Sequence, residues 1–244
     1  MNIIETQNRE RFKQLDALCQ TVTPYLKGGL APFDSTMLVG ESSDLTVIKH
    51  LYGAIELAHP EAGHAYWLTR TWELLCWQPI YISVISIYGL QALPAFDGFA
   101  QQREDAYIMG YRFQTLDFIT DEIPNLVSRA GIQLTHLFEH YRLLIDSWLR
   151  CRPGYTRQIL ADALLESLVK LRVARPDIDN QTLYHHAELW LSSCGLPLDN
   201  LRSYSESKDG SLRFVRRSCC LVYKTEQGQL CSNCPRKRER ICTS

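Results

Sequence analysis

Apolar and polar positions alternate at helical spacing over residues 5–20, and the cluster Pro24, Gly28-Gly29 and Pro32 ends that first element. Residues 43–57 predict a second helix, with Ser43 or Asp44 at its cap, and Pro60-Glu61 opens a third that runs past Trp67 and Trp72 to about Trp77. Residues 80–88 mix β-branched and aromatic residues with small ones, which predicts a strand. Residues 106–118 predict another, with Gly110 as the place for a bulge. After Asp121-Glu122, the positions Leu126, Ile132, Leu137, Tyr141, Leu144 and Trp148 suit a long amphipathic helix over 125–150. Two further helices are expected over 154–174 and 181–193. Residues 195–209, with Pro197, serines and charges, form the expected boundary before the tail.

One stretch resists this pattern. From Leu74 to Phe96 there are 23 residues without a formal charge, long enough to span a bilayer. Gln78, Pro79, Ser83, Ser86, Gly89, Gln91 and Pro94 interrupt it, so the expectation is two buried strands around a turn and no membrane span.

Charge and cysteine then separate the last residues from the rest. The net charge of −1 hides +6 on residues 211–244 and −7 on residues 1–210. Cys19, Cys76, Cys151 and Cys194 stand singly in apolar surroundings, whereas Cys219, Cys220, Cys231, Cys234 and Cys242 crowd the final 26 residues. Secreted disulfide domains are cysteine-dense throughout and follow an export signal. Residues 1–20 carry Glu5, Arg9, Glu10, Arg11, Lys13 and Asp16 without an apolar core, so the expectation is a reducing cytoplasm, where clustered thiols bind metal.

The tail reads Arg216-Arg217-Ser218-Cys219-Cys220, ten residues, then Cys231-Ser232-Asn233-Cys234-Pro235. Thiolates are soft anionic donors, and a C-x-x-C turn presents two of them to one centre. Two pairs make the four ligands of a [2Fe–2S] cluster, a [4Fe–4S] cluster or structural zinc. Adjacent cysteines point to opposite sides of a regular strand, so both reach one site only where the backbone bends. Residues 221–230 are expected to begin as a strand and turn near Gly228.

C-C-x10-C-x-x-C near the C-terminus, with arginine before it and Tyr223 three residues after the first pair, resembles the FhuF-like ferric-siderophore reductases. The resemblance implies that Cys219, Cys220, Cys231 and Cys234 hold a [2Fe–2S] cluster; Cys242 lies outside the pattern. It also implies a cytoplasmic ferric-chelate oxidoreductase, which reduces an Fe(III)-siderophore by one electron to release Fe(II). Its electron donor would be a protein of ferredoxin or flavin-reductase type. No nucleic-acid partner and no membrane span are expected, any association with the inner membrane being peripheral. The whole is then an α+β chain: a predominantly helical siderophore-reductase body with a small antiparallel β element over 1–210, and a cysteine-ligated cluster segment over 211–244. Arg216, Arg217, Arg236 and Lys237 are candidates for steering an anionic chelate or an acidic donor. The alternatives are a zinc-stabilised module binding nucleic acid or protein, and an iron–sulfur redox sensor.

Elsewhere the signals are weak. Trp67, Trp72, Trp77 and Tyr81 are candidates for a pocket, though spacings of five do not keep one helical face and favour core packing. His136 and His140 share a helix face but lack a third ligand, and His59, His64, His185 and His186 read as ordinary residues. No dinucleotide fingerprint, P-loop or nucleophile elbow is present.

Overall fold

A computed structural model describes residues 3–207 and 210–237. Six α-helices, α1 (Ile3–Val22), α2 (Asp44–Ala58), α3 (His64–Leu90), α4 (Ile123–Asp146), α5 (Pro153–Ala174) and α6 (Asn180–Ser193), make up most of the described residues. Five of them coincide, within a few residues, with the helices that the apolar spacing predicts.

α3 overturns the strand expected over 80–88. It continues unbroken through that segment and ends on Gln91, whose positive φ of 48° turns the chain out of the helix. Ile80, Ile82, Val84, Ile85 and Ile87 favour strands by only fractions of a kcal/mol, and a run without charged positions shows too weak a period to declare itself. Tertiary burial decides: α1, α2, α4 and α5 all pack on α3. By length and composition α3 could cross a membrane, yet 67% of its most apolar window is buried inside the protein. Pro79, inside this helix, lacks the N–H that would reach the Leu75 carbonyl, and Gln101 Nε2 donates to that oxygen at 2.9 Å instead. The Ser83 and Ser86 hydroxyls, also buried, donate to Pro79 and Ala92 carbonyls.

The β element is larger and less regular than the strand predicted over 106–118. β1 (Gly28–Leu30), β5 (Tyr107–Phe113), β4 (Phe99–Glu104) and β2 (Met37–Leu38) form one sheet in that order. β1 pairs with β5 in parallel, so the sheet is mixed where an antiparallel one is expected. Gln101 faces Tyr111 and Arg103 faces Ile108, which leaves Met109 and Gly110 opposite Gln102. This is the bulge predicted at Gly110, whose φ of 82° suits glycine. β3 (Ala92–Pro94) pairs with β6 (Phe118–Thr120), and β7 (Tyr204–Glu206) with β8 (Leu212–Phe214).

Two cores result. The larger fills the space among α2 to α6. The smaller, with Phe12, Leu15, Ile82, Phe99, Tyr111 and Phe113, joins α1 and α3 to the sheet. The β7–β8 hairpin is pinned to the larger core by the Tyr204 hydroxyl, which donates to the Leu165 carbonyl at 2.6 Å. β8 then delivers the chain to the cysteines.

Candidate iron–sulfur site

The segment after β8 is short of regular structure, so its shape depends on what holds its backbone. Three attachments do so. Val215 N–H donates to the Ser203 carbonyl at 2.9 Å, and Arg216 N–H donates to the Asn233 carbonyl at 3.0 Å. The second bond ties the residue three before Cys219 to the turn between Cys231 and Cys234. The third is Asp162, fully buried on α5, whose carboxylate accepts from Arg217 N–H at 3.0 Å and Ser218 N–H at 2.7 Å, and from the Ser218 hydroxyl. Burial pushes the Asp162 carboxyl up, and the Arg217 and Ser218 donors and the Arg216 guanidinium pull against that rise.

The bend that adjacent cysteines need lies directly after them. Leu221 takes a positive φ of 58°, and a 3-10 turn over Val222–Lys224 follows. The strand expected at the start of 221–230 is therefore absent, because a left-handed residue diverts the chain before a ladder can begin. The turn near Gly228 is present: its N–H donates to the Thr225 carbonyl at 2.8 Å. A Cβ there would lie 1.8 Å from the Val222 carbonyl oxygen, so only glycine fits this closure. The loop is clipped to the body where Glu226 N–H donates to Glu61 Oε1 at 2.9 Å. Cys234 N–H donates to the Cys231 carbonyl at 3.1 Å, which closes the C-x-x-C turn.

Of the four thiols of the pattern, two are brought into contact here. Cys220 and Cys234 are buried, whereas Cys219 and Cys231 are partly exposed. The sulfurs of Cys220 and Cys231 stand 3.6 Å apart. Metal–sulfur bonds of about 2.3 Å in a tetrahedron separate two thiolates by about 3.8 Å, so this pair is spaced for one metal. Among the described residues, however, no three Cys, His, Asp or Glu side chains converge on a single ion. Four soft sulfur donors, two of them at metal-sharing distance, fit a two-iron cluster, which takes its ligands in pairs. Burial, and then the neighbouring Cys220 sulfur, push the Cys231 thiol up to about 12; burial raises that of Cys219 too, opposed by the Leu221 amide and Arg236. Thiols so placed ionise readily only when a cation shares their charge. Cys242 lies outside the described residues.

The four basic candidates have unlike surroundings. The Arg216 side chain is only 11% exposed; its guanidinium donates to Glu73 Oε1 at 2.6 Å, with Nε 4.0 Å from Asp162. Arg217 pairs with Asp199. Exposed Arg236 lies over the Tyr223 ring, 4.7 Å from its centroid, and Lys237 is exposed. Asp162 and Glu73, the body's two anchors, are absent from the sequence reading. Asp162 did leave a trace, as an acid within the apolar run Ile159-Leu160-Ala161-Asp162-Ala163-Leu164-Leu165.

Other candidates resolve into structure. Trp72 is buried in the core, and the Trp67 indole donates to the His59 carbonyl. Trp77 and Tyr81 line a cavity. His140 stands 3.2 Å from the buried Asp44 carboxylate, which also accepts from Val39 and Gly40 N–H, so the His136/His140 face is part of a helix-to-loop clamp.

Residues 216–236 match the family model described as the FhuF 2Fe-2S C-terminal domain. No solved structure matches the chain. The matched stretch contains Cys219, Cys220, Cys231 and Cys234, and the match supports a [2Fe–2S] cluster as its cofactor.

Proposed function

We propose that the protein is a cytoplasmic ferric-siderophore reductase, which delivers one electron to a chelated Fe(III) and releases Fe(II). The observation that carries this reading is the match of residues 216–236 to the FhuF 2Fe-2S domain, on a segment where Cys220 and Cys231 sulfurs lie 3.6 Å apart. Cys219, Cys220, Cys231 and Cys234 would hold the cluster, the Cys220–Cys231 pair being spaced to share one metal. A [2Fe–2S] cluster, when bound, supplies single electrons at a potential that charge, hydrogen bonds and exposure tune.

The chain's own contribution is positional and electrostatic. Siderophores surround Fe(III) with hard anionic oxygens that hold Fe(II) far less well, so reduction alone loosens the chelate. Asp162 fixes the bend carrying Cys219 and Cys220, and the Arg216–Asn233 bond fixes the facing turn. Partly exposed Cys219 and Cys231 form the rim at which electrons arrive from a donor protein of ferredoxin or flavin-reductase type. With Arg216 and Arg217 matched by Glu73 and Asp199, steering of an anionic chelate falls mainly to Arg236 and Lys237.

Anaerobic reduction of the purified protein followed by EPR, with ferric siderophores then added, tests the assignment. The expected result is a red-brown protein whose reduced-cluster signal disappears on addition of a ferric siderophore. A colourless protein with bound zinc would favour the binding-module alternative. An intact cluster that no ferric chelate reoxidises would remove the reductase reading.

A further inference from the structure

One face of α3 presents Arg70, Glu73, Trp77 and Tyr81 at spacings of three and four, and one face of α5 presents Ile159, Ala163, Glu166 and Lys170 in the same way. The β5 residues Tyr107 to Met109 close the third side. Between them lies a cavity of about 660 Å³, within the roughly 300–1,000 Å³ of small-molecule sites. Arg216 forms part of its wall. We propose that this cavity is the binding site for the ferric chelate itself, an inference that rests on the reductase reading.

Three features point to that occupant. The first is charge. Arg70, Lys170 and Arg216 line the cavity against two carboxylates, Glu73 and Glu166. Glu73 is taken by Arg216 at 2.6 Å and Glu166 by Lys170 at 3.4 Å, while Arg70 has no ion pair among the described residues. The cavity thus holds one cation in excess, on a half-buried guanidinium suited to the anionic oxygens of a hydroxamate or catecholate.

The second is a rigid aromatic wall. The Trp77 indole donates to the Ile108 carbonyl at 3.1 Å, and the Tyr81 hydroxyl accepts from Lys170 Nζ at 2.7 Å. Lys170 also lies over the Tyr81 ring, 5.4 Å from its centroid. Pinned rings with a cation among them offer stacking to catechol rings and apolar contact to hydroxamate linkers.

The third is position. Arg216 belongs at once to the cavity wall and to the segment that bears the cysteines, its own N–H being bonded to the Asn233 carbonyl between Cys231 and Cys234. A chelate in this cavity meets that segment across a single side chain.

Gallium(III) complexes test this, because Ga(III) matches Fe(III) in charge and size but is not reduced in water. The intact cluster-bearing protein is titrated with a trianionic Ga(III) tricatecholate and a neutral Ga(III) trihydroxamate, followed by calorimetry and quenching of tryptophan fluorescence. Arg70→Gln and Lys170→Gln should each weaken tricatecholate binding about tenfold and trihydroxamate binding less. Ala163→Leu, which narrows the cavity without altering charge, should weaken both. The visible spectrum of every variant should stay that of the parent, which separates loss of binding from loss of fold. Absence of Ga(III)-chelate binding to the parent, or unchanged affinities in all three variants, overturns the site even if ferric chelates reoxidise the cluster. Binding that falls in these variants, with no reoxidation by any ferric chelate, keeps the site and removes the reductase reading.

Discussion

Cys76 and Cys220 are both buried cysteines, yet the protein uses them in opposite ways. Cys76 sits wholly within the larger core, where desolvation pushes its thiol far up. Cys19 and Cys194 are raised to about 12 and Cys151 to about 11 for the same reason. Packed within the two cores, these four are small hydrophobes. Cys220 is buried against other sulfurs, 3.6 Å from Cys231, in a loop held by backbone bonds and one buried carboxylate. Burial by itself therefore says little about a cysteine. What surrounds the sulfur, and whether a second sulfur is held at metal-sharing distance, separates packing from ligation.

The largest effect that could break this contrast is loss of the cluster. Alanine at Cys219, Cys220, Cys231 or Cys234 should abolish the visible absorbance and the bound iron. Alanine at Cys76 or Cys194 should keep both, at a cost of about 1 kcal/mol in urea unfolding. Full iron in Cys219→Ala, lost again in Cys219→Ala/Cys242→Ala, would make Cys242 a fourth ligand and redraw the set.

A smaller change tests the scaffold in place of the sulfurs. Asp162→Ala leaves the Arg217 and Ser218 amides without their buried acceptor and removes the carboxylate near Arg216, which should cost about 3 kcal/mol and weaken retention of iron against a chelator. Asp162→Asn keeps one acceptor oxygen and should lie between. A wild-type unfolding midpoint in Asp162→Ala would show that the loop is held without it.

Gly228→Ala comes next, because its Cβ would overlap the Val222 carbonyl. Opening the loop should cost about 2 kcal/mol and shift the cluster's visible spectrum, read by absorbance and thermal melts. An unchanged spectrum and melting temperature would mean that the closure is not needed.

The smallest effect concerns charge on the rim. Arg236→Gln with Lys237→Gln should slow reduction of an anionic chelate a few-fold and flatten its dependence on salt, with little change for a neutral one. Stopped-flow rates at two ionic strengths check this, and equal salt slopes would leave steering without support.

How much of this was legible follows from where each signal resides. The helices α1, α2, α4, α5 and α6 declare themselves because their apolar positions recur on one face. The bulge at Gly110 shows because glycine interrupts an aromatic, β-branched run. The second half of α3 does not, because a helix buried by four others loses the periodicity that distinguishes it from a strand. β1, β2 and β3 are too short for any local pattern. On the cavity face of α3 the sequence marks Trp77 and Tyr81 as pocket candidates but not Arg70 and Glu73, because the tryptophans at 67, 72 and 77, five apart, share no helical face.

By itself the sequence determined the chemistry: four thiols in a C-C-x10-C-x-x-C pattern name a sulfur-bound metal, since ligand type and spacing are local properties of the chain. Only the tertiary structure decided where that chemistry sits. Asp162 and Glu73 lie 55 and more residues from the loop they hold, Arg216 turns out to be buried and paired, and the cavity beside it is assembled from two helices and a hairpin. These are long-range contacts, and no window along the chain contains both partners.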